Sequence, residues 1–137
     1  MTREAGDRGS VSVELAILTP LFALLLASVV LVGRVQSGRA DVEAAARAAA
    51  RTISLSRDTA SAIDVARSDA EAMVGVGSPT CTSMQFSPVV ADGEVRVEIS
   101  CVVDLAAAAL LPVPGSMTVS ATATEIIDIF REEATAP

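Results

Sequence analysis

Residues 8–34 read RGSVSVELAILTPLFALLLASVVLVGR, and this stretch decides the fold. From Leu15 to Val32 it is apolar except for one proline and two hydroxyl residues. A helix over these 18 residues would be about 27 Å long, close to the roughly 30 Å hydrocarbon core of a bilayer. The stretch therefore predicts a single transmembrane helix near the N-terminus, over residues 10–33.

Two other interpretations of the apolar run are a buried core helix and a cleaved secretory signal peptide. A signal peptide would have a shorter apolar region and a small-x-small cleavage site. Here the run leads without a break into Gly33-Arg34 and a strongly helical segment, so we expect it to be retained. Pro20 lies inside the run. Membrane helices tolerate proline where neighbours satisfy the freed carbonyl, and we expect a helix kink there.

Composition limits the classes of function. The 137 residues include no His, Trp or Tyr and only two Cys, so most common general bases and metal ligands are missing. We expect no catalytic site, no metal and no cofactor. The net charge of −7 disfavours nucleic acid as a partner, because nucleic-acid binding needs a basic surface.

The segment after the apolar run, VQSGRADVEAAARAAARTIS at 35–54, is rich in Ala and Arg and predicts that the helix continues into water. We define residues 34–56 as an amphipathic helical stalk. Its apolar stripe requires a packing partner. The stripe comprises Val35, Val42, Ala45, Ala46, Ala49 and Ile53, while Arg39, Glu43, Arg47 and Arg51 lie on or near another face.

Residues 57–137 predict a small head, which makes the protein α+β. Ser56-Arg57-Asp58 resembles a break followed by an N-cap, and Thr59 to Val74 predicts a helix ended by Gly75 and Gly77. Its inward residues are expected to be Ile63, Ala66, Ala70, Met73 and Val74.

Three strands are expected after Pro79, in a mainly antiparallel sheet with the head helix packed on it. Their predicted ranges are 80–90, 94–104 and 117–130, with a hairpin turn at Asp92-Gly93. In the second strand Val95, Val97, Ile99, Cys101 and Val103 alternate with polar residues. This apolar face should pack against the head helix. The apolar segment 105–116 has two prolines that exclude a long helix, and it either covers the sheet edge or contacts a neighbour.

Cys81 and Cys101 lie on adjacent predicted strands, so a disulfide between them is expected if the head is exported to an oxidising compartment. The alternative is two buried free thiols. Strand phase is unresolved, because Cys101 alternates with inward residues whereas Cys81 alternates with Ser83 and Gln85. A bulge or another register would bring the two cysteines together.

Directly before the apolar run stands RGSVSVELA at 8–16, which places Glu14 at the fifth position after Gly9. With Pro20, Gly33-Arg34 and the segment AAARAAAR at 44–51, it resembles the TadE-like proteins of tight-adherence (Flp-type) pilus systems, which are minor pilins or pseudopilins. The resemblance is close over about residues 8–51 and holds only in outline beyond.

The resemblance implies a leader at residues 1–9, cut by a prepilin peptidase between Gly9 and Ser10. It also implies that Glu14 pairs with the free N-terminal amine of an adjacent subunit during assembly. The alternative is that the Glu14 carboxylate is solvated at the membrane interface, where it interacts favourably with the helix dipole. The implied partners are other pilins or pseudopilins through the N-terminal helix, the peptidase, and the assembly platform in the membrane.

The expected location is the cytoplasmic membrane, with the N-terminus cytoplasmic, the head at 57–137 extracytoplasmic, and incorporation into a surface pilus as a further step. The distribution of Arg opposes this, because Arg3 and Arg8 precede the span while four Arg follow it within the stalk. The cysteine pair and the pilin resemblance favour export.

The sequence leaves two rival functions open. One is a membrane-tethered extracytoplasmic binding module that does not polymerise. The other is an enzyme or Ca²⁺ site built from Asp92, Glu94, Glu98 and Asp104, although the period-2 spacing of Glu94, Arg96 and Glu98 is typical of a solvated strand face.

Overall fold

A computed structural model describes residues 8–108 and 114–127 of the chain. The predicted leader lies outside this range except for its last two residues, as do residues 109–113 of the apolar segment and the end of the predicted third strand at 128–130. The elements are α1 (Arg8–Leu55), α2 (Thr59–Val74), β1 (Ser83–Ala91), β2 (Glu94–Asp104), α3 (Leu105–Ala108) and β3 (Ser116–Ile126). The predicted α+β class is confirmed.

α1 is one continuous helix of 48 residues, about 72 Å long, and it passes through Pro20 without interruption. Two hydroxyl groups in its apolar part bond to the preceding turn. Thr19 Oγ1 donates to Leu15 O at 2.7 Å, and Ser28 Oγ donates to Leu24 O at 2.8 Å. The polar atoms of these two side chains are therefore satisfied without water.

The two halves of α1 lie in different surroundings. From Ser12 onward the apolar half contacts little else in the protein, and it is long and apolar enough to cross a membrane. The second half packs against the head, on α2 and on strands β2 and β3. Its predicted stripe is confirmed, since Val42, Ala45, Ala46, Ala49 and Ile53 are buried and Val35 is half-buried. Gly38 and Ala50 are buried as well, which the stripe did not include.

α2 begins and ends where the sequence predicts. The Asp58 carboxylate accepts a hydrogen bond from the Ala60 N–H at 3.1 Å, and Gly75 adopts the left-handed conformation with φ of 64°. Hydrogen bonds from Ser61 and from the backbone N–H groups of Ala60 and Ser61 lower the pKa of Asp58.

The buried face of α2 is narrower than predicted. It consists of Ala62, Ala66, Ala70 and Val74, which recur every four residues. Ile63 is partly buried beside them. The prediction for Met73 was wrong, because its side chain is 47% exposed. Because the contact with α1 is made through small alanine side chains, the two helices lie close together and only the residues at every fourth position are buried between them. Met73 lies beside this row and not within it.

The sheet has the order β1-β2-β3, and both strand pairs are antiparallel. The predicted hairpin turn is confirmed, with φ of 54° at Asp92 and 77° at Gly93. β2 alternates as predicted, and all five of its apolar inward residues are buried. β1 starts at Ser83, three residues later than predicted, because residues 77–81 form a turn in which the Gly77 N–H donates to Cys81 O at 2.8 Å.

The apolar face of the sheet packs chiefly on α1, which differs from the packing on α2 that the sequence suggested. α1 contacts both β2 and β3 extensively, whereas α2 packs mostly on α1 and reaches the sheet near β1, where the Arg67 guanidinium lies 5.2 Å from the centre of the Phe86 ring. α1 buries two side chains larger than alanine, Val42 and Ile53, whereas the buried face of α2 has only Val74 besides its three alanines.

Candidate functional site

The residues singled out before the apolar run lie at the start of α1. The backbone of Gly9 and Ser10 belongs to its first turn, and Glu14 follows one turn later, about 6 Å along the axis from Ser10. Glu14 is exposed among exposed apolar neighbours, with Val13 at 61%, Leu15 at 60% and Ile17 at 68%. Glu14 thus places one carboxylate among exposed apolar side chains.

A carboxylate at this end of the helix carries an energetic cost if the helix enters a membrane. A carboxylate costs about 2.5–3.5 kcal/mol at the centre of a membrane helix on insertion scales, and less near the interface. Glu14 directly precedes the apolar run, so it lies toward one interface if that run occupies the bilayer. A cation close to Glu14 would offset the remaining cost.

Pro20 lies six residues beyond Glu14, about 9 Å further along α1. Proline has no N–H, so the carbonyl of Ala16 lacks its usual helical donor. The neighbouring Thr19 hydroxyl bonds to Leu15 O and not to Ala16 O. A backbone acceptor is therefore present within the apolar half, at Ala16, two residues after Glu14.

The disulfide between Cys81 and Cys101 is present, with the two Cα atoms 5.1 Å apart. Both residues are buried. The difficulty of strand phase disappears because Cys81 precedes β1 and belongs to the turn at 77–81. The bond fastens this turn to the inner face of β2. Thr80 lies beside α1 here, since a Cβ built on Gly38 would be 3.8 Å from Thr80 O.

The acidic residues of the hairpin form no metal centre. Within residues 8–108 and 114–127, no cluster of three or more His, Cys, Asp or Glu side chains could hold a metal ion. Glu94 and Glu98 are exposed on the outer face of β2, on either side of Arg96. The Asp104 carboxylate accepts from the Ala106 N–H at 2.9 Å and so serves α3.

Two clefts open along the second half of α1. One, of about 300 Å³, lies between α1 and α2 and is lined mainly by alanines together with Thr52, Asp69 and Met73. The other, of about 400 Å³, lies between α1 and β3. Its lining residues are Arg39, Glu43, Arg47, Ser120, Ala121 and Thr122. The sequence predicts the three charged residues on or near a face other than the apolar stripe, and no pattern in it indicates that β3 lies beside them.

Comparison with known proteins agrees with the resemblance seen in the sequence. The model of the family described as TadE-like protein matches residues 9–51. This region includes Gly9, Ser10, Glu14 and Pro20, and it ends near the end of α1. No curated protein and no solved structure matches the chain.

The match covers just under a third of the chain and leaves the head outside it. The TadE-like family is associated with the tight-adherence pilus, and residues 9–51 of this chain are similar to it. Together with the exposed apolar half of α1, this similarity supports anchoring by a single membrane-spanning helix.

Proposed function

We propose that this chain is a minor pilin or pseudopilin-type subunit that takes part in assembly of a tight-adherence pilus after a prepilin peptidase cuts between Gly9 and Ser10. The observation that carries the proposal is the position of Glu14. It is a carboxylate on a membrane-capable helix, one turn after Ser10, within the region that matches the TadE-like family.

Cleavage would give Glu14 its partner. The peptide bond before Ser10 carries no charge, whereas the amine released there is a cation at neutral pH, with an ordinary pKa near 8. The amine of an adjacent subunit then meets Glu14 as the two N-terminal helices pack. Processing and docking are thereby coupled, because an uncut subunit offers no cation. Other pilins and the assembly platform in the membrane are the partners of this helix.

The proposed organisation follows the chain. Residues 1–9 form the leader, 10–33 the membrane helix, 34–56 the stalk and 57–137 the head outside the cytoplasm. The disulfide supports export, because such bonds persist in oxidising compartments. The four Arg of the stalk oppose it. Orientation therefore needs its own experiment.

Leader removal is tested by intact-protein mass and N-terminal sequencing of the chain extracted from membranes. The wild type should begin at Ser10. Gly9→Leu should keep the whole leader, because the bulky side chain blocks the cleavage position, whereas Thr2→Ala is a matched control within the leader that should be cut normally. A wild-type chain that starts upstream of Ser10 would refute the processing step.

The pairing of Glu14 is tested by piliation and by crosslinking in cells. Glu14→Ala should be processed normally but lose assembly, and Glu14→Gln should behave alike because it keeps the shape without the charge. Glu14→Asp keeps the carboxylate and should retain part of the activity. Wild-type piliation in the Ala and Gln variants would exclude the pairing mechanism.

Orientation is tested with a thiol placed on the head surface. Ser61 is exposed on α2, and the native cysteines are bonded to each other, so Ser61→Cys provides a single reactive thiol. A membrane-impermeant maleimide should label it in intact spheroplasts. Labelling that appears only after lysis would place the head in the cytoplasm and contradict the proposal.

The alternative is a membrane-tethered binding module that does not polymerise, favoured by the polar cleft beside β3. Photo-crosslinkers along residues 15–53 separate the two functions. An assembling subunit should crosslink to other pilins through the apolar half of α1, whereas a monomeric binding module should crosslink there to lipid alone.

A further inference from the structure

The two outer strands of the sheet differ in how open their edges are. β1 carries Pro88 next to its central residue. β3 has 11 residues without proline or lysine, and its one charged residue is Glu125. Proline and lysine are the usual means by which proteins block a sheet edge. Among residues 8–108 and 114–127, no strand pairs with the outer side of β3.

The hydrogen bonds at the two ends of the β2–β3 ladder fix which groups face that open side. The Leu105 N–H donates to Gly115 O at 3.1 Å, and the Ile127 N–H donates to Gly93 O at 2.8 Å. Both bonds join odd-numbered residues. Because bonded and non-bonded pairs alternate in an antiparallel ladder, the odd residues of β3 bond to β2. The N–H and C=O groups of Thr118, Ser120, Thr122 and Thr124 therefore point outward.

The same phase explains Pro88. If odd residues of β2 bond to β3, even residues of β2 bond to β1, and the register then pairs them with odd residues of β1. Pro88 is even, so its missing N–H lies on the outer edge and costs no bond to β2. The chain thus has one edge interrupted by proline and one that is complete.

The cleft of about 400 Å³ lies along the complete edge. It is lined by three consecutive residues of β3, Ser120 to Thr122, whose side chains alternate between the two faces of the sheet. Only the edge of a strand presents all three to one space. On the opposite side stand two turns of α1 with Arg39, Glu43 and Arg47.

The charge of the cleft differs from that of the chain. Two Arg and one Glu make it basic, while the chain carries −7. Arg47 bonds to Glu43 at 3.1 Å and is still 72% exposed, so it remains available to a second carboxylate. Arg39 and Arg47 lie about 12 Å apart along α1, which is close to the roughly 13 Å between residues i and i+4 of a strand. Glu43 lies between them.

From this edge and this charge, we propose that the cleft binds an extended, acidic segment of a partner protein as a fourth strand beside β3. The outward N–H and C=O groups of β3 supply the backbone hydrogen bonds. Arg39 and Arg47 bind carboxylates at positions i and i+4 of the added strand, and Glu43 disfavours an acid at i+2. The proposal is independent of leader cleavage and of Glu14.

The test uses the full chain in phosphatidylcholine nanodiscs and a fluorescent peptide, Thr-Glu-Val-Thr-Val-Glu-Thr, at low ionic strength. Fluorescence anisotropy should show saturable binding, and the peptide with both Glu replaced by Lys should bind at least about tenfold more weakly. Amide exchange should slow at Ser120, Thr122 and Thr124 on binding. Equal affinity for both peptides, or no binding of either, would overturn the proposal.

Two variants with matched controls locate the site. Thr122→Pro removes an outward N–H without touching the β2 ladder and should abolish binding, whereas Val90→Pro on the outer edge of β1 should not. Reversing both cleft charges with Arg39→Glu and Arg47→Glu should favour the Lys peptide, whereas Arg57→Glu, in the turn before α2, should not. Circular dichroism checks that each variant folds. Unchanged binding in Thr122→Pro or in the charge-reversed variant would refute the site.

Two further outcomes would replace the partner. If Thr122→Pro alters the oligomeric state of the chain without peptide, the edge pairs with a second copy. If the peptide binds only to a chain truncated after Ile127, the chain's own residues 128–137 occupy the edge. Either result contradicts an acidic partner strand.

Discussion

Removing the disulfide should destabilise the head by about 3.3 kcal/mol. Cys81 and Cys101 are separated by 20 residues. In the chain-entropy model, a cross-link over about 20 residues lowers the entropy of the denatured chain by roughly 11 cal/mol/K, which is about 3.3 kcal/mol at 25 °C. This is a large fraction of the stability expected for so small a domain.

The variant should replace both cysteines by alanine. Both residues are buried, so serine would bury two hydroxyl groups and add a separate cost. Reduced wild-type protein is the matched control, because it keeps both sulfur atoms and loses only the cross-link. The difference between the reduced protein and the double alanine variant then measures the packing of the sulfur atoms alone.

Hydrogen exchange of the full chain in nanodiscs is the appropriate assay, because the sequence has no Trp or Tyr to report unfolding by fluorescence. Amides of the central strand β2 exchange through global unfolding. Their exchange should be about 250-fold faster in the reduced protein, from 3.3 kcal/mol converted at 1.36 kcal/mol per factor of ten. An increase below about fivefold would refute the entropy argument.

Three other perturbations test the packing and the caps. Ala66→Leu should destabilise the head by about 1–3 kcal/mol, because the side chain of Ala66 is buried between α1 and α2. Thermal circular dichroism should show a lower Tm for this variant. Val65→Leu is the control and should change the Tm little, because Val65 is exposed. Gly75→Ala should cost about 1–2 kcal/mol because φ is +64°, as measured by the same melting curves. Because the pKa of Asp58 is lowered in the folded state, its carboxylate stabilises the fold at pH values above the ordinary pKa of 3.8. This contribution is lost as the pH falls through the folded-state pKa. The Tm difference between wild type and Asp58→Ala should therefore shrink in acid.

Features set by neighbouring residues were predictable from the sequence. The caps of α2, the turn at Asp92-Gly93 and the alternation of β2 each depend on a few consecutive side chains. Long-range relations were not. An amphipathic stripe identifies the face of a helix that is buried but not the surface that covers it. The sequence therefore predicts packing of the sheet on α2, whereas the sheet packs chiefly on α1.

The candidate site divides in the same way. Gly9, Ser10 and Glu14 are neighbours in one helix, and their spacing identified them directly. The cleft beside β3 joins Arg39 to Ser120, which are far apart in sequence, and no local pattern connects them. The sequence predicts the pairing of Cys81 with Cys101. It also places Cys81 within the first strand, whereas Cys81 lies in the turn at 77–81, before β1 begins.

The continuity of α1 determines where the head stands. Among residues 12–55 of α1, the first buried residue is Gly38, beside Thr80 and six residues after Val32, which is only about 9 Å of helix. One lipid headgroup layer is about 5–8 Å thick. When the apolar half lies in a bilayer, the lower rim of the head therefore rests almost on the lipid surface. α1 is continuous from the apolar half to the half that packs on the head, so a tilt of the helix in the membrane tilts the whole head by the same angle. Other membrane proteins would then contact the head from the side.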